Sequence, residues 1–213
     1  MTDTNIKVRE HYSAVGLTDR IKAALTTIAP ESQALTVAQL APLDQFHTRG
    51  ILATEELARA AGLDTSTRVL DLGCGIGGPA RYLAMNIADR AALYKEMRRI
   101  LAQGGRFVTY DLVLRNGDVL YPVPWASDAS ASFLLTEGET RTALEEAGYN
   151  VVLWRDDTQL AQDWFKTVVG TQPQSGPNLG VVMGPDFSAM TGNLARNLRE
   201  NRLGVLSAVL TRG

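Results

Sequence analysis

Three glycines at alternate positions follow a short apolar run in the first half of the chain. The run is Val69–Leu72, and the glycines are Gly73, Gly75 and Gly77. An apolar run bounded by polar residues and glycines is typical of a buried strand. Glycine permits a tight turn and a close approach of backbone to ligand, and the start of a following helix offers free N–H donors. The pattern therefore predicts a strand, a ligand-binding loop and a helix.

Two other interpretations fit the same residues. A glycine-rich turn after a strand can be a tight turn with no ligand. Gly73, Gly75 and Gly78 also satisfy G-x-G-x-x-G, the fingerprint of a nicotinamide or flavin dinucleotide site. That fingerprint requires a second strand ending in an acidic residue about 20 positions later, and the sequence has no clear strand of that kind. Asp71 instead lies before the first glycine.

The elements that must position this loop are predicted from apolar periodicity and from end signals. Gly62 is a natural residue to follow the end of a helix, Pro42 marks another helix end, and Thr136 with Glu139 has the spacing of a capping box. Helices are predicted over 5–28, 36–40, 45–61, 88–102, 136–147, 158–169 and 186–201, and strands over 68–72, 106–112, 151–154 and 205–210.

The composition is that of an ordinary globular protein. The chain has 213 residues, of which 45% are hydrophobic and 21% charged, with a net charge of -2. No block of Lys and Arg indicates a nucleic-acid partner, and no apolar run is long enough to span a bilayer. One cysteine and two histidines argue against a disulfide framework and a metal site. With no signal pattern at the N-terminus, we expect a cytoplasmic protein.

Several segments together resemble class I S-adenosylmethionine (SAM) dependent methyltransferases that act on small molecules. The resemblance is to the group around sarcosine/dimethylglycine N-methyltransferases and ubiquinone-type C-methyltransferases. It is carried by residues 43–50, 68–84, 85–89, 94–110 and 184–210. It implies an α/β, Rossmann-like methyltransferase fold with an N-terminal helical cap. We expect residues 1–62 to form the cap or lid and residues 63–213 the methyltransferase domain.

The resemblance also implies a function and a set of site residues. The cofactor would be SAM, leaving S-adenosylhomocysteine, and the partner would be a small molecule methylated on nitrogen, oxygen or carbon. Gln45 and Asn86 would contact the cofactor, and His47 is the candidate catalytic residue, although a lone histidine is more often a packing residue. The residues expected to hold the methionine part of the cofactor are Asp71, Gly73, Cys74, Gly75 and Gly77.

One departure from the family is large. Ala84 runs directly into Met85, where the family has strands 2 to 4 and their helices, on the order of 60–70 residues at ~30 per βαβ unit. A natural deletion, an engineered deletion, or the joining of two stretches of a longer chain would each produce this junction. The family sheet order 3-2-1-4-5-7-6 would then lack strands 2 to 4, and with them the residues that hold ribose and adenine.

The gap leaves further interpretations open. An exposed edge on the shortened sheet would favour a homodimer. The chain would then be an active methyltransferase, a dinucleotide-binding oxidoreductase, or a non-catalytic remnant of the methyltransferase fold.

Overall fold

The computed structural model describes residues 16–29, 35–45, 47–68, 70, 90–168 and 176–213. Eight helices, three strands and one short 3-10 turn lie within these ranges. The helices are α1 (Leu17–Thr26), α2 (Val37–Asp44), α3 (Ile51–Ala60), α4 (Arg90–Ile100), α5 (Glu137–Glu146), α6 (Thr158–Val168), α7 (Leu179–Met183) and α8 (Phe187–Arg199). The strands are β1 (Arg106–Leu114), β2 (Tyr149–Asp156) and β3 (Leu203–Arg212), and the 3-10 turn is Ala129–Ala131.

The three strands form one sheet in the order β1-β3-β2, with β3 antiparallel to both neighbours. Along β1 the register runs from Arg106 opposite Thr211 to Leu114 opposite Leu203. Along β2 it shifts between Val151 and Leu153, which is the mark of a β-bulge. The α/β class is confirmed, and the last strand of the chain lies between its two predecessors, as in the 5-7-6 end of the family order.

The central strand is buried on both faces, because helices cover the sheet on two sides. Every residue from Leu203 to Leu210 is buried, which explains the continuous apolar run in the sequence. On one face the core contains Leu203, Val205, Tyr110 and Leu112 with residues of α6 and α8. On the other face it contains Ala208, Leu210 and Phe107 with Tyr94 of α4 and Leu144 of α5. Helix α3 packs against β1 and β3.

Some predicted helix bounds were wrong, and one helix was not predicted. The helix predicted over 45–61 begins six residues later, at Ile51, because Arg49 and Gly50 have positive φ angles of 68° and 50° that no α-helix admits. Helix α2 continues through Pro42 to Asp44, since proline removes only one hydrogen bond and a capping box at Thr36 and Gln39 fixes the first turn. Helix α7, of five residues, was not predicted.

Several predictions fall outside the described residues. They concern the glycine loop, residues 69, 71 and 72 of the strand over 68–72, the junction of Ala84 and Met85, and the first fifteen residues. The strand prediction is wrong at its two described residues: neither Arg68 nor Leu70 lies in a strand, and Leu70 is 67% exposed, so no neighbouring element of the described ranges covers it as a buried strand requires. The domain boundary at residue 62 stays a prediction. Within the described ranges, no helix combines the length and apolar character needed to cross a membrane.

Candidate functional site

The described part of the predicted site is the loop that precedes α3, and Thr54 brings its two candidate residues together. The Thr54 hydroxyl donates to Gln45 Oε1 at 2.8 Å, and its oxygen lies 3.0 Å from His47 Nε2. Because Thr54 is on the first turn of α3, the helix fixes both side chains from one position. Gln45 and His47 therefore lie in one polar group.

The hydrogen bonds of His47 define which ring nitrogen carries the proton. Nε2 lies 2.8 Å from the carbonyl oxygen of Gly50. A carbonyl can only accept a hydrogen bond, so Nε2 must donate to it. In the neutral ring the lone pair is then on Nδ1, which becomes the atom able to accept a proton. The Thr54 oxygen can accept a second, weaker bond from Nε2 while its own proton goes to Gln45.

The backbone between His47 and α3 is held in a costly conformation. Arg49 has φ 68°, in the left-handed region, and Gly50 follows with φ 50° and ψ -136°. A non-glycine residue in this region costs roughly 1–3 kcal/mol and persists only where its surroundings hold it. The Arg49 side chain is only 9% exposed and donates to both carboxylate oxygens of Glu56, at 3.1 and 2.5 Å.

Tyr110 of β1 forms the floor beneath this loop. The Thr48 hydroxyl donates to the Tyr110 hydroxyl at 3.1 Å, and the Tyr110 ring lies edge-on to His47 with centroids 5.6 Å apart. Burial raises the pKa of Tyr110, the carboxylate of Asp157 acts in the same direction, and the bond from Thr48 and the charge of Arg49 oppose them. Tyr110 therefore stays protonated at neutral pH and serves as a neutral hydrogen-bonding group.

The opposite face of the sheet carries a second polar feature. Arg90, at the start of α4, donates from Nη1 to Asp111 Oδ2 at 2.5 Å and is 6% exposed. It borders an open groove of about 570 Å³ between α4 and α5. The other residues of the groove are Ala91, Leu135, Gly138, Glu139, Thr142, Ala143 and Glu146. Glu139 accepts the capping-box bonds from Thr136, so part of the acidic lining is already engaged.

The long segment between β1 and α5 is a packed part of the core. Trp125 is 2% exposed, and its Nε1 donates to Ser132 Oγ at 3.0 Å. Val123 and Ala126 are also buried. Asn197 of α8 holds the segment from the other side by accepting from the Leu120 N–H at 2.9 Å and donating to its carbonyl at 3.0 Å. This segment is therefore a rigid wall of the fold.

The structure brings together only part of the predicted site. Gln45 and His47 lie side by side, whereas the other predicted residues lie outside the described ranges: Asp71, Gly73, Cys74, Gly75, Gly77 and Asn86. Sequence reasoning missed Thr54, Glu56, Tyr110 and Arg155, which surround the loop before α3. A local signal existed in the charged run Arg155-Asp156-Asp157 at a strand end. Within the described ranges, no three of His, Cys, Asp and Glu are grouped as metal ligands.

No family model matches the sequence, and a search of curated proteins found no match. Solved structures do show similarity. Geranyl diphosphate C-methyltransferase from Streptomyces coelicolor A3(2), in complex with Mg²⁺, geranyl diphosphate and S-adenosyl-L-homocysteine, is 15% identical with a TM-score of 0.44, over 59% of this chain and 43% of that one. Cyclopropane synthase MmaA2 from Mycobacterium tuberculosis is 13% identical with a TM-score of 0.41, over 59% and 50%.

A third similar structure is a phosphoethanolamine N-methyltransferase 2 of Haemonchus contortus, in complex with phosphomonomethylethanolamine and S-adenosylhomocysteine. It is 10% identical with a TM-score of 0.42, over 60% of this chain and 31% of that one. This chain thus spans half or less of the length of each of these enzymes. At TM-scores below 0.5, these similarities decide nothing about its function.

Proposed function

We propose that the chain binds SAM and transfers its methyl group to a small-molecule acceptor, leaving S-adenosylhomocysteine. The observation that carries the proposal is the sheet order β1-β3-β2 with a central antiparallel last strand, found in the same chain as the Asp71 to Gly77 motif. A dinucleotide fold of the usual doubly wound kind continues its parallel sheet instead. SAM would supply a methyl group bound to a sulfonium sulfur, and an in-line nucleophile would take that methyl group while S-adenosylhomocysteine departs as a neutral thioether.

The described residues fit the polar end of such a cofactor. Gln45 uses its Oε1 to accept from Thr54, which orients the amide NH₂ group away from Thr54. That NH₂ group has no hydrogen-bond partner among the residues the structure describes, so it can donate to a carboxylate. We therefore assign Gln45 to the methionine end, beside Asp71, Gly73, Cys74, Gly75 and Gly77, with Asn86 as a further contact.

His47 is the proposed proton acceptor. Its ring would take the proton released when a nitrogen or oxygen nucleophile is methylated, while Nε2 stays bonded to the Gly50 carbonyl. The contact with Tyr110 and the bond to Gly50 hold the ring in one orientation. Positioning of the acceptor is the larger contribution in a displacement of this kind.

The cap is the proposed cover of the acceptor. Helices α1 and α2 both pack against α7, in the long connection between β2 and β3. These contacts join both N-terminal helices to α7, and such a group of helices would suit a lid over a small molecule. A cytoplasmic location, in keeping with the single cysteine, and a homodimer through a sheet edge complete the proposal.

A binding experiment tests the cofactor. Calorimetric titration of the purified chain with S-adenosylhomocysteine and, separately, with NADH should give binding for the first only. Asp71→Asn should weaken the binding of S-adenosylhomocysteine by roughly 10- to 100-fold, which is the value of one charge-assisted hydrogen bond. Asp163→Asn, at an exposed position, should leave this binding unchanged. Binding of NADH without S-adenosylhomocysteine would indicate an oxidoreductase, and binding of neither would indicate a non-catalytic remnant of the fold.

A further inference from the structure

Four charged side chains of alternating sign connect the loop before α3 to the end of β2. Arg49 donates to both oxygens of Glu56, at 3.1 and 2.5 Å. Arg155 Nη2 donates to Glu56 Oε2 at 3.1 Å and to Asp157 Oδ2 at 3.0 Å, and its Nε donates to Asp157 Oδ1 at 2.5 Å. We call this row Arg49–Glu56–Arg155–Asp157 the ion-pair ladder. Glu56 is shared by both arginines.

Both ends of the ion-pair ladder are buried and its middle is accessible. Asp157 is fully buried and Arg49 is 9% exposed, whereas Glu56 is 31% and Arg155 43% exposed. A buried charge is tolerated only when it is paired and hydrogen-bonded. The bonds from Arg49 and, less strongly, from Arg155 lower the pKa of Glu56. Glu56 is therefore charged near neutral pH.

The ladder is anchored on the sheet at its Asp157 end. The Asp157 N–H donates to the Val205 carbonyl at 2.8 Å. Arg155 lies opposite Ser207, which in turn lies opposite Tyr110. The three form one cross-strand row beneath the loop, with the smallest side chain on the central strand.

We infer that the ion-pair ladder is a positioning device that holds the loop carrying His47 against the sheet. Arg49 has the left-handed φ of 68° and would relax from it without the paired carboxylate. Glu56 and Arg155 are thus positioning residues that act through Arg49, Glu56 directly and Arg155 by way of Glu56. The purpose for which the loop is held rests on the proposed function. The ion-pair ladder itself is a feature of the fold and does not.

Hydrogen exchange tests the ladder without any ligand. Glu56→Gln keeps the size of the side chain and removes the charge that both arginines share, and Glu55→Gln on the same helix is the matched control. In Glu56→Gln the amides of residues 47–51 should exchange at least tenfold faster, while those of 203–210 stay unchanged. Unchanged exchange at 47–51 would overturn the inference, and so would equal acceleration in β3, which indicates general destabilisation.

A second variant tests the same inference if Glu56→Gln does not fold. Arg155→Lys keeps a positive charge beside the buried Asp157, loses the guanidinium fork that also reaches Glu56, and leaves the Arg49 pair in place, so its effect on residues 47–51 should have the same direction and be smaller. In the double variant the two effects should be less than additive, because both break one row. Fully additive effects would show that the two residues act separately and would overturn the ladder as a unit.

Ligand binding separates the ladder from the proposed function. Glu56→Gln should raise the dissociation constant of S-adenosylhomocysteine about tenfold, and Glu55→Gln should leave it unchanged. If the unaltered protein does not bind this ligand while exchange at 47–51 still responds, the proposed function fails and the ladder stands. If binding is intact in Glu56→Gln and exchange does not respond, the ladder fails and the proposed function stands.

Discussion

Replacement of Asn197 by leucine gives the sharpest stability test of how the long segment before α5 is held. Asn197 is fully buried, and its amide makes two hydrogen bonds with the backbone of Leu120, at 2.9 and 3.0 Å. Leucine has the same branching and the same number of side-chain heavy atoms, with bulkier methyl groups, so no cavity forms. The substitution instead leaves the N–H and the carbonyl of Leu120 without partners.

The expected loss follows from these two orphaned groups. Each buried backbone group left without a partner costs about 1–3 kcal/mol, and Leu120 is only half-buried, so the lower part of that range applies. The sum is about 2–4 kcal/mol, which corresponds to a fall in Tm of roughly 4–16 °C for a domain of this size.

Urea unfolding followed by tryptophan fluorescence measures the loss, since the buried Trp125 lies in the same segment. Asn193→Ala is the control, because Asn193 gives one bond, from Nδ2 to the Pro122 carbonyl at 2.9 Å, and should cost about 1 kcal/mol. A loss below 1 kcal/mol for Asn197→Leu, or equal losses in both variants, would refute the idea that Asn197 clamps this segment.

Three further outcomes are expected. Burial raises the pKa of Tyr149 to about 12, whereas the unfolded chain ionises this group near pH 10. The free energy of unfolding should therefore fall as pH rises from 10 towards 12, because only the unfolded chain loses the proton in that range. In a pH profile of stability measured by urea unfolding, Tyr149→Phe should flatten this fall. Ser207→Ala should be neutral or stabilise by up to ~1 kcal/mol in the same assay, because its buried hydroxyl has no hydrogen-bond partner among the residues that the structure describes. A loss above 1 kcal/mol would contradict this. Thr136→Ala should cost about 1 kcal/mol by removing the cap of α5, and Thr136→Ser should restore it in thermal unfolding.

Local signals in the sequence predicted local structure well. The Thr136 and Glu139 spacing predicted a capping box, and both of its hydrogen bonds are present. The apolar run near the C-terminus predicted the buried strand, which extends two residues further at each end, to Leu203 and Arg212, because backbone pairing continues into polar residues. Helix α7 has five residues, too few for a helical period to be visible in sequence.

Features set by distant residues could not be predicted in this way. The predicted start of α3 was wrong because Arg49 takes a left-handed conformation that depends on its ion pair with Glu56. Glu56 in turn accepts a hydrogen bond from Arg155 of β2, which is 99 positions away in the sequence. Apolar periodicity contains no information on such a pair. The sheet order was anticipated from the family resemblance, since spacing alone does not say that the last strand enters between the two earlier ones.

The central place of β3 has a consequence for how the chain folds. Strands β1 and β2 are not paired with each other and both depend on a strand that follows them by 46 residues or more. During synthesis, α4, α5 and both outer strands therefore leave the ribosome before the sheet can form. The sequence separation between paired strands makes this a slow step, during which two strand edges are exposed to other chains. Loss of residues 203–212 would thus remove every pairing in the sheet.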